Sequence, residues 1–192
     1  MNDAQKKGRR MLVLISLLFI LPIISAMYMY FSGTAVPVAS NEHGEFITPP
    51  RMLPEITLNT SVPEKQFRDV WSLLVLANND CDATCLASLG KIRQVRLSLG
   101  PKMPRMQTVF IPAESATLSA ELETELSTNH PVLIVVAPEQ SGIIHATAGP
   151  YENGEMFLVD PLGNLMMRYR QDAGMGEIRE DITHLLKLST IG

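Results

Sequence analysis

Cys81 and Cys85 are the residues of this chain best placed to do chemistry, and they are its only cysteines. They are spaced Cys-Asp-Ala-Thr-Cys, after the apolar run Trp71-Ser-Leu-Leu-Val-Leu-Ala and at the opening of an amphipathic stretch. That placement predicts a dithiol on a strand-to-helix corner. The backbone N–H groups and dipole at a helix N-terminus favour a thiolate there, and the corner is open to partners. On a regular helix, side chains at i and i+4 hold their Cβ atoms about 5–6 Å apart. A disulfide needs roughly 3.5–4.5 Å. A bond therefore requires Cys81 to lie in the loop and curl back over Cys85, with Asp82 or Asp80 as the N-cap. Those two aspartates disfavour a thiolate at Cys81 but attract a cation, and a soft copper ion prefers a dithiolate to hard oxygen ligands.

Three uses of the pair are open on these grounds: a stabilising disulfide of the kind common in exported domains, a redox dithiol, or a metal site. Disulfide stabilisation grows with the length of the loop closed. A loop this small is a poor staple and a better redox or metal device.

The elements that must position the pair follow from the hydrophobic pattern. Val70 to Ala77 reads as a central strand covered on both faces. Cys85, Leu86, Leu89, Ile92, Val95 and Leu99 recur at helical spacing, and Gly100-Pro101 stops that helix. Met106 to Ile111 reads as a second strand, Ser115 to Asn129 as a helix, and Val132 to Ala137 as a third strand. Glu155 to Asp160 and Leu165 to Tyr169 flank Pro161-Leu-Gly-Asn and form a hairpin. A helix from about Glu177 closes the chain, with Ile178, Ile182, Leu185 and Leu186 on one face. The order predicts an α/β domain with a mixed sheet.

Ahead of this domain, residues 11–31 carry no charge. As a helix they would span about 31 Å, enough to cross the hydrocarbon core. Lys6, Lys7, Arg9 and Arg10 precede them, and no basic residue follows until Arg51. The positive-inside rule then puts residues 1–10 in the cytoplasm and the rest outside. Tyr28, Tyr30 and Phe31 read as the interfacial anchor. Residues 32–50 are small, polar and Pro/Gly-bearing, and read as a flexible tether; residues 51–192 have the size of one domain. The expected setting is a single-pass protein of a bacterial inner membrane with its domain in the periplasm. Twelve basic and nineteen acidic residues follow Phe31, a formal charge of −7. That balance argues against nucleic acid as a partner.

His43 in the tether, His130 before a proline and His184 on the last helix are expected in water. Met166 and Met167 alternate in a strand and read as packing. There is no phosphate-binding glycine loop, Gly-x-Ser-x-Gly elbow or His-Glu-x-x-His motif, so hydrolase and nucleotide functions are excluded.

The anchor, the apolar strand, Cys81-Asp-Ala-Thr-Cys85 opening a helix, and Phe157-Leu-Val-Asp-Pro-Leu-Gly-Asn164 together resemble the SCO/SenC family. Those are membrane-tethered, thioredoxin-fold proteins that deliver copper to cytochrome c oxidase. The resemblance implies a thioredoxin-like mixed sheet flanked by helices. It makes Cys81 and Cys85 copper ligands or a redox dithiol, and makes the oxidase copper-site subunit or another assembly factor the partner. The family also supplies a histidine ligand shortly before the hairpin; here Glu152 stands near that position, and His145 is the nearest candidate third ligand. Other exported thiol–disulfide exchange, or a scaffold with a structural disulfide, are the alternatives.

Overall fold

The computed structural model describes residues 3–32, 42–56, 66–114 and 118–191, with side chains from residue 7 onward. The chain divides into two units, Met1–Ser40 and Asn41–Gly192. In the first, α1 (Asp3–Ser32) is one continuous helix despite Pro22. Its segment Lys7–Ser32 has a mean hydropathy of 2.5 and no buried residue, and is long and apolar enough to cross a membrane. Residues 33–41 of the expected tether lie outside the described residues.

The second unit is built on β2 (Trp71–Leu76), all six of whose residues are buried. Leu73 and Val75 face one apolar cluster, while Leu74 and Leu76 face another. Period-2 alternation thus fails to show in the sequence because both faces are covered. From β2 the chain turns through Cys81 into α2 (Ala83–Ser98), then returns by a 3₁₀ turn (Gly100–Arg105) to β3 (Met106–Ile111), parallel to β2. Next come α3 (Ala120–Asn129), the two-residue β4 (Ile134–Val135) and α4 (Pro138–Ala148). The hairpin β5 (Glu155–Val159) and β6 (Asn164–Tyr169) and the final α5 (Met175–Leu188) complete the unit. With β1 (Glu45–Met52), the six strands lie in the order β1-β6-β5-β2-β3-β4. β5 runs antiparallel to β2, so the sheet is mixed as expected.

Each face of the sheet has its own cover. Cys85, Leu89, Ile92 and Val95 of α2 join Ile178, Ile182 and Leu186 of α5 on one side. Ile144 and Ala148 of α4 pack on the other, with Leu53, Phe67, Val109 and Phe157. Leu89 and Ile92 are fully buried, and each such side chain contributes about 1.5–3 kcal/mol relative to exposure.

Two elements depart from expectation. Glu45 to Pro50, assigned to the tether on composition, belong to β1, an edge strand paired with β6 across a bulge. Pro49 and Pro50 hid it, because prolines are admitted only where a strand lacks a second neighbour. The other is α4. The expected strand from Val132 to Ala137 shrinks to β4, and the chain immediately re-enters a helix at Pro138. Gly142 lies mid-helix, with the exposed Glu114 carboxylate beside it. Of the third expected helix, residues 115–117 lie outside the described residues.

The start of the second unit is clasped to α5. Asp181 is 1% exposed. Its carboxylate accepts the backbone N–H groups of His43 (3.0 and 3.1 Å) and Gly44 (2.9 Å). The His43 ring lies 3.2 Å away through Nδ1, and that hydrogen bond raises its pKa. Gly44 has no alternative residue, since a Cβ would meet the Tyr169 ring at 2.5 Å. His43 is exposed, as expected, but its ring and backbone N–H are tied to Asp181. His130 departs from expectation: it is 8% exposed at the end of α3, where burial and then Arg93 hold its pKa low. His184 is exposed, as expected.

Candidate functional site: the Cys81–Cys85 corner

The sequence Asp82-Ala-Thr-Cys folds as a helix start for a simple reason. Asp82 has extended backbone angles (φ −76°, ψ −175°), and its Oδ1 accepts the Cys85 N–H at 2.9 Å, satisfying a donor that has no partner within the helix. That bond, with further ones from the Asn153 amide and the Thr84 N–H, holds the Asp82 carboxyl below the usual carboxylate range. Cys81 stays in the loop and folds back onto Cys85. The sulfurs are bonded at 2.00 Å, with the Cα atoms 5.1 Å apart.

The two sulfurs differ in access. Cys85 is fully buried and contributes to the core under α2, whereas Cys81 is half-buried at the corner. A thiolate approaching from outside reaches Cys81 first.

The turn before β5 completes the corner. Gly154 donates to the Leu76 carbonyl at 2.9 Å, which brings its backbone over the start of α2. It has φ +80°, and a Cβ there would stand 3.0 Å from the Cys85 Cα. Asn153 binds the cysteine loop from both ends of its amide. Its Oδ1 accepts the Asn78 N–H at 3.2 Å, and its Nδ2 donates to the Asp80 carbonyl at 3.3 Å. Glu152 accepts from Gln171 at 3.0 Å. Sequence reading stopped at Glu152; the Asn-Gly pair that follows it was the available signal, because only such residues suit a tight turn with positive φ.

His145 does not join this corner. It lies on α4, whose buried face packs on the opposite side of the sheet from Cys85. Both ring nitrogens are engaged: Nε2 donates to the Pro112 carbonyl at 2.7 Å, and Tyr151 Oη donates to Nδ1 at 2.5 Å. Burial pushes the Tyr151 hydroxyl up to about 12, which keeps it a donor. Tyr151 also stacks on His145 and meets Phe157 edge-on, so the histidine is part of a packed aromatic group. Among the described residues no three His, Cys, Asp or Glu side chains are grouped to hold a metal ion. The expectation of His145 as a third ligand therefore finds no support in the geometry, because its one ligating lone pair, on Nδ1, is taken by the Tyr151 hydroxyl.

A parallel β2–α2–β3 unit, an antiparallel hairpin and a closing helix around a helix-opening disulfide define a thioredoxin-like domain. The chain belongs to the transmembrane-like, thioredoxin-like, C-terminal domain family, whose model matches residues 71–189. Three solved structures show the same fold. Apo Sco1 from Thermus thermophilus superposes with a TM-score of 0.61 at 19% identity, covering 77% of this chain and 99% of its own. A thio-disulfide isomerase from Thermus thermophilus gives 0.55 at 17% identity, covering 76% and 99%. Yeast Sco1 with copper bound gives 0.54 at 17% identity, covering 73% and 92%. A search of curated proteins finds no match.

Proposed function

We propose that this is a membrane-anchored thiol–disulfide exchange protein serving cytochrome c oxidase biogenesis, with α1 as the anchor, its N-terminus cytoplasmic and the second unit periplasmic. The observation that carries the reading is the unequal access of a bonded pair at a helix N-terminus: Cys81 half-exposed, Cys85 buried. A partner thiolate attacks Cys81 Sγ, the bond to Cys85 breaks, and Cys85 leaves as a thiolate among the N–H groups at the start of α2. A second partner thiol then displaces Cys81, leaving a partner disulfide and the reduced pair. Run in reverse, the reduced pair keeps a partner's cysteines reduced, as an oxidase copper site would require. The Sco-like fold supports the oxidase setting, and the isomerase-like neighbour supports the exchange chemistry.

Copper carriage is a second reading, favoured by the copper-bound yeast Sco1 of the same fold. Once reduced, Cys81 and Cys85 would supply two soft ligands, and among the described residues no third His, Cys, Asp or Glu side chain joins them.

The test uses the full chain in detergent micelles. The Cys85→Ser variant should form a stable mixed disulfide with thiol probes through Cys81, while Cys81→Ser should leave Cys85 unreactive under the same conditions. Equal reactivity of the two, or none at either, would remove the exchange reading. For copper, the reduced protein is titrated with Cu(I) against a competing chelator. No uptake dependent on Cys81 and Cys85 at micromolar metal would retire carriage.

A further inference from the structure

Next to the exposed side of the disulfide runs a groove of about 340 Å³, at the lower end of the range for binding cavities (about 300–1,000 Å³). Cys81 forms part of its wall. Phe110 and Pro112, from the end of β3, and Leu118 and Leu122, from the start of α3, line its apolar side, and Asp80 stands at the cysteine end. Leu118 and Leu122 are half-buried against the core but still open to this space. Among the described residues, no lysine or arginine lines it. Its surroundings are acidic as well: Asp82 is exposed beside Cys81, and Glu121 and Glu123 stand in the first turn of α3. Of the three basic residues of α2, Arg93 is exposed and lies near His130, and the other two are turned to internal duty. Lys91 holds the carbonyls of Gln171 and Ala173, and Arg96 donates to the Met106 carbonyl at 2.8 Å.

We propose that this groove docks an extended segment of the partner in which the reacting cysteine is flanked by an apolar residue and by a lysine or arginine. The inference rests on the exchange reading and names the class of substrate that reading takes. The apolar side chain sits against Phe110, Pro112, Leu118 and Leu122, and the cation sits beside Asp80. The same cation serves the chemistry. An attacking thiolate is repelled by Asp80 and Asp82, and a neighbouring positive charge both offsets that repulsion and lowers the partner thiol's pKa. Overall, two partner thiols and the Cys81–Cys85 bond give a partner disulfide and two protein thiols, with no other oxidant or reductant.

The experiment uses the full oxidised chain in micelles and three reduced synthetic peptides in excess. One carries Leu and Lys beside its cysteine, one Leu and Glu, and one Ser and Lys. Each rate of disulfide reduction is divided by that peptide's rate with the neutral 2-hydroxyethyl disulfide, which removes differences in intrinsic thiol reactivity. The Leu/Lys peptide should exceed the Leu/Glu peptide by about tenfold at low ionic strength. Asp80→Asn should reduce that ratio to below about threefold. Leu122→Gln should remove the preference for Leu over Ser, with the rate for dithiothreitol unchanged as a check on the fold. Equal normalised rates in the unmodified protein, or preferences untouched by both substitutions, overturn the groove while leaving exchange in place. A disulfide that resists all peptides and dithiothreitol alike overturns exchange, and the groove with it.

Discussion

Gly154 lies over Cys85 so closely that a Cβ built on the glycine would stand 3.0 Å from the cysteine Cα and 3.2 Å from its nitrogen. The turn before β5 and the first turn of α2 are thereby packed backbone to backbone. Gly154→Ala meets two penalties, a left-handed φ and a steric overlap with main chain that cannot give. It should cost roughly 3 kcal/mol in denaturant unfolding. Gly100→Ala is the comparison, because Gly100 also has positive φ (+53°) but open space around it. Its cost should be about 1 kcal/mol. Equal costs at the two sites would mean that the packing on Cys85 contributes nothing.

Asp82 joins stability to redox behaviour, because one carboxylate caps α2 and also opposes thiolates beside it. Asp82→Ala should lose about 1 kcal/mol through the missing cap. Asp82→Asn should keep most of the cap while removing the charge. Both should make the reduction potential less negative, since the thiolates of the reduced form lose a repelling neighbour. The folded Asp82 carboxyl titrates below its ordinary range, so its stabilisation is present above that range and disappears as pH falls through the folded value. Asp82→Asn should therefore unfold less steeply in acid than the parent. Glutathione equilibration and acid unfolding curves check the two halves. An unmoved potential in both variants would contradict the electrostatic account of this corner.

Glu155 works in the opposite sense. It is 6% exposed at the start of β5, its Oε2 has no hydrogen-bond partner among the described residues, and burial pushes its pKa up. A carboxyl raised in the folded state adds no penalty below its unfolded value, and destabilises once the pH has risen through the folded one. Glu155→Gln should accordingly raise the melting temperature at pH 7 and change it little at pH 4. A gain that is the same at both values would point to packing and not charge.

Asp181 fixes where the second unit begins. Asp181→Ala removes a buried acceptor of three hydrogen bonds and should cost about 2 kcal/mol. His43→Ala keeps the backbone donors and should cost less. The raised pKa of His43 gives the contact a definite pH dependence. Its ionic share is present below the ordinary histidine value of 6.5 and fades as pH rises through the folded value. Both variants should therefore show a flatter stability profile above neutrality than the parent, measured by denaturant unfolding across that range.

Much of the corner was legible because its signals are local. An apolar strand, an aspartate-bearing helix start and two cysteines four residues apart mean that a bond between them puts Cys81 in the loop and Cys85 in the first turn, as the structure has it. What the sequence hid depends on distant partners. Pro49 and Pro50 argue against a strand until β6 is seen to accept one on its outer edge. Gly142 weakens the pattern of α4, although Pro138 at the start and Gly149-Pro150 at the end were readable stops. His145 invited a ligand role because Pro112 lies 33 residues away in sequence, and only the folded sheet brings that carbonyl to the ring. His130 looked solvated from its place before a proline, and burial at the end of α3 decided otherwise.

The reduction potential of the Cys81–Cys85 pair, measured on the full chain in micelles against glutathione and dithiothreitol buffers, tests the central claim most directly. A half-exposed disulfide that exchanges with partners should equilibrate within the range of exchange proteins, about −120 to −270 mV. A value well below about −300 mV, where structural disulfides fall, would contradict it.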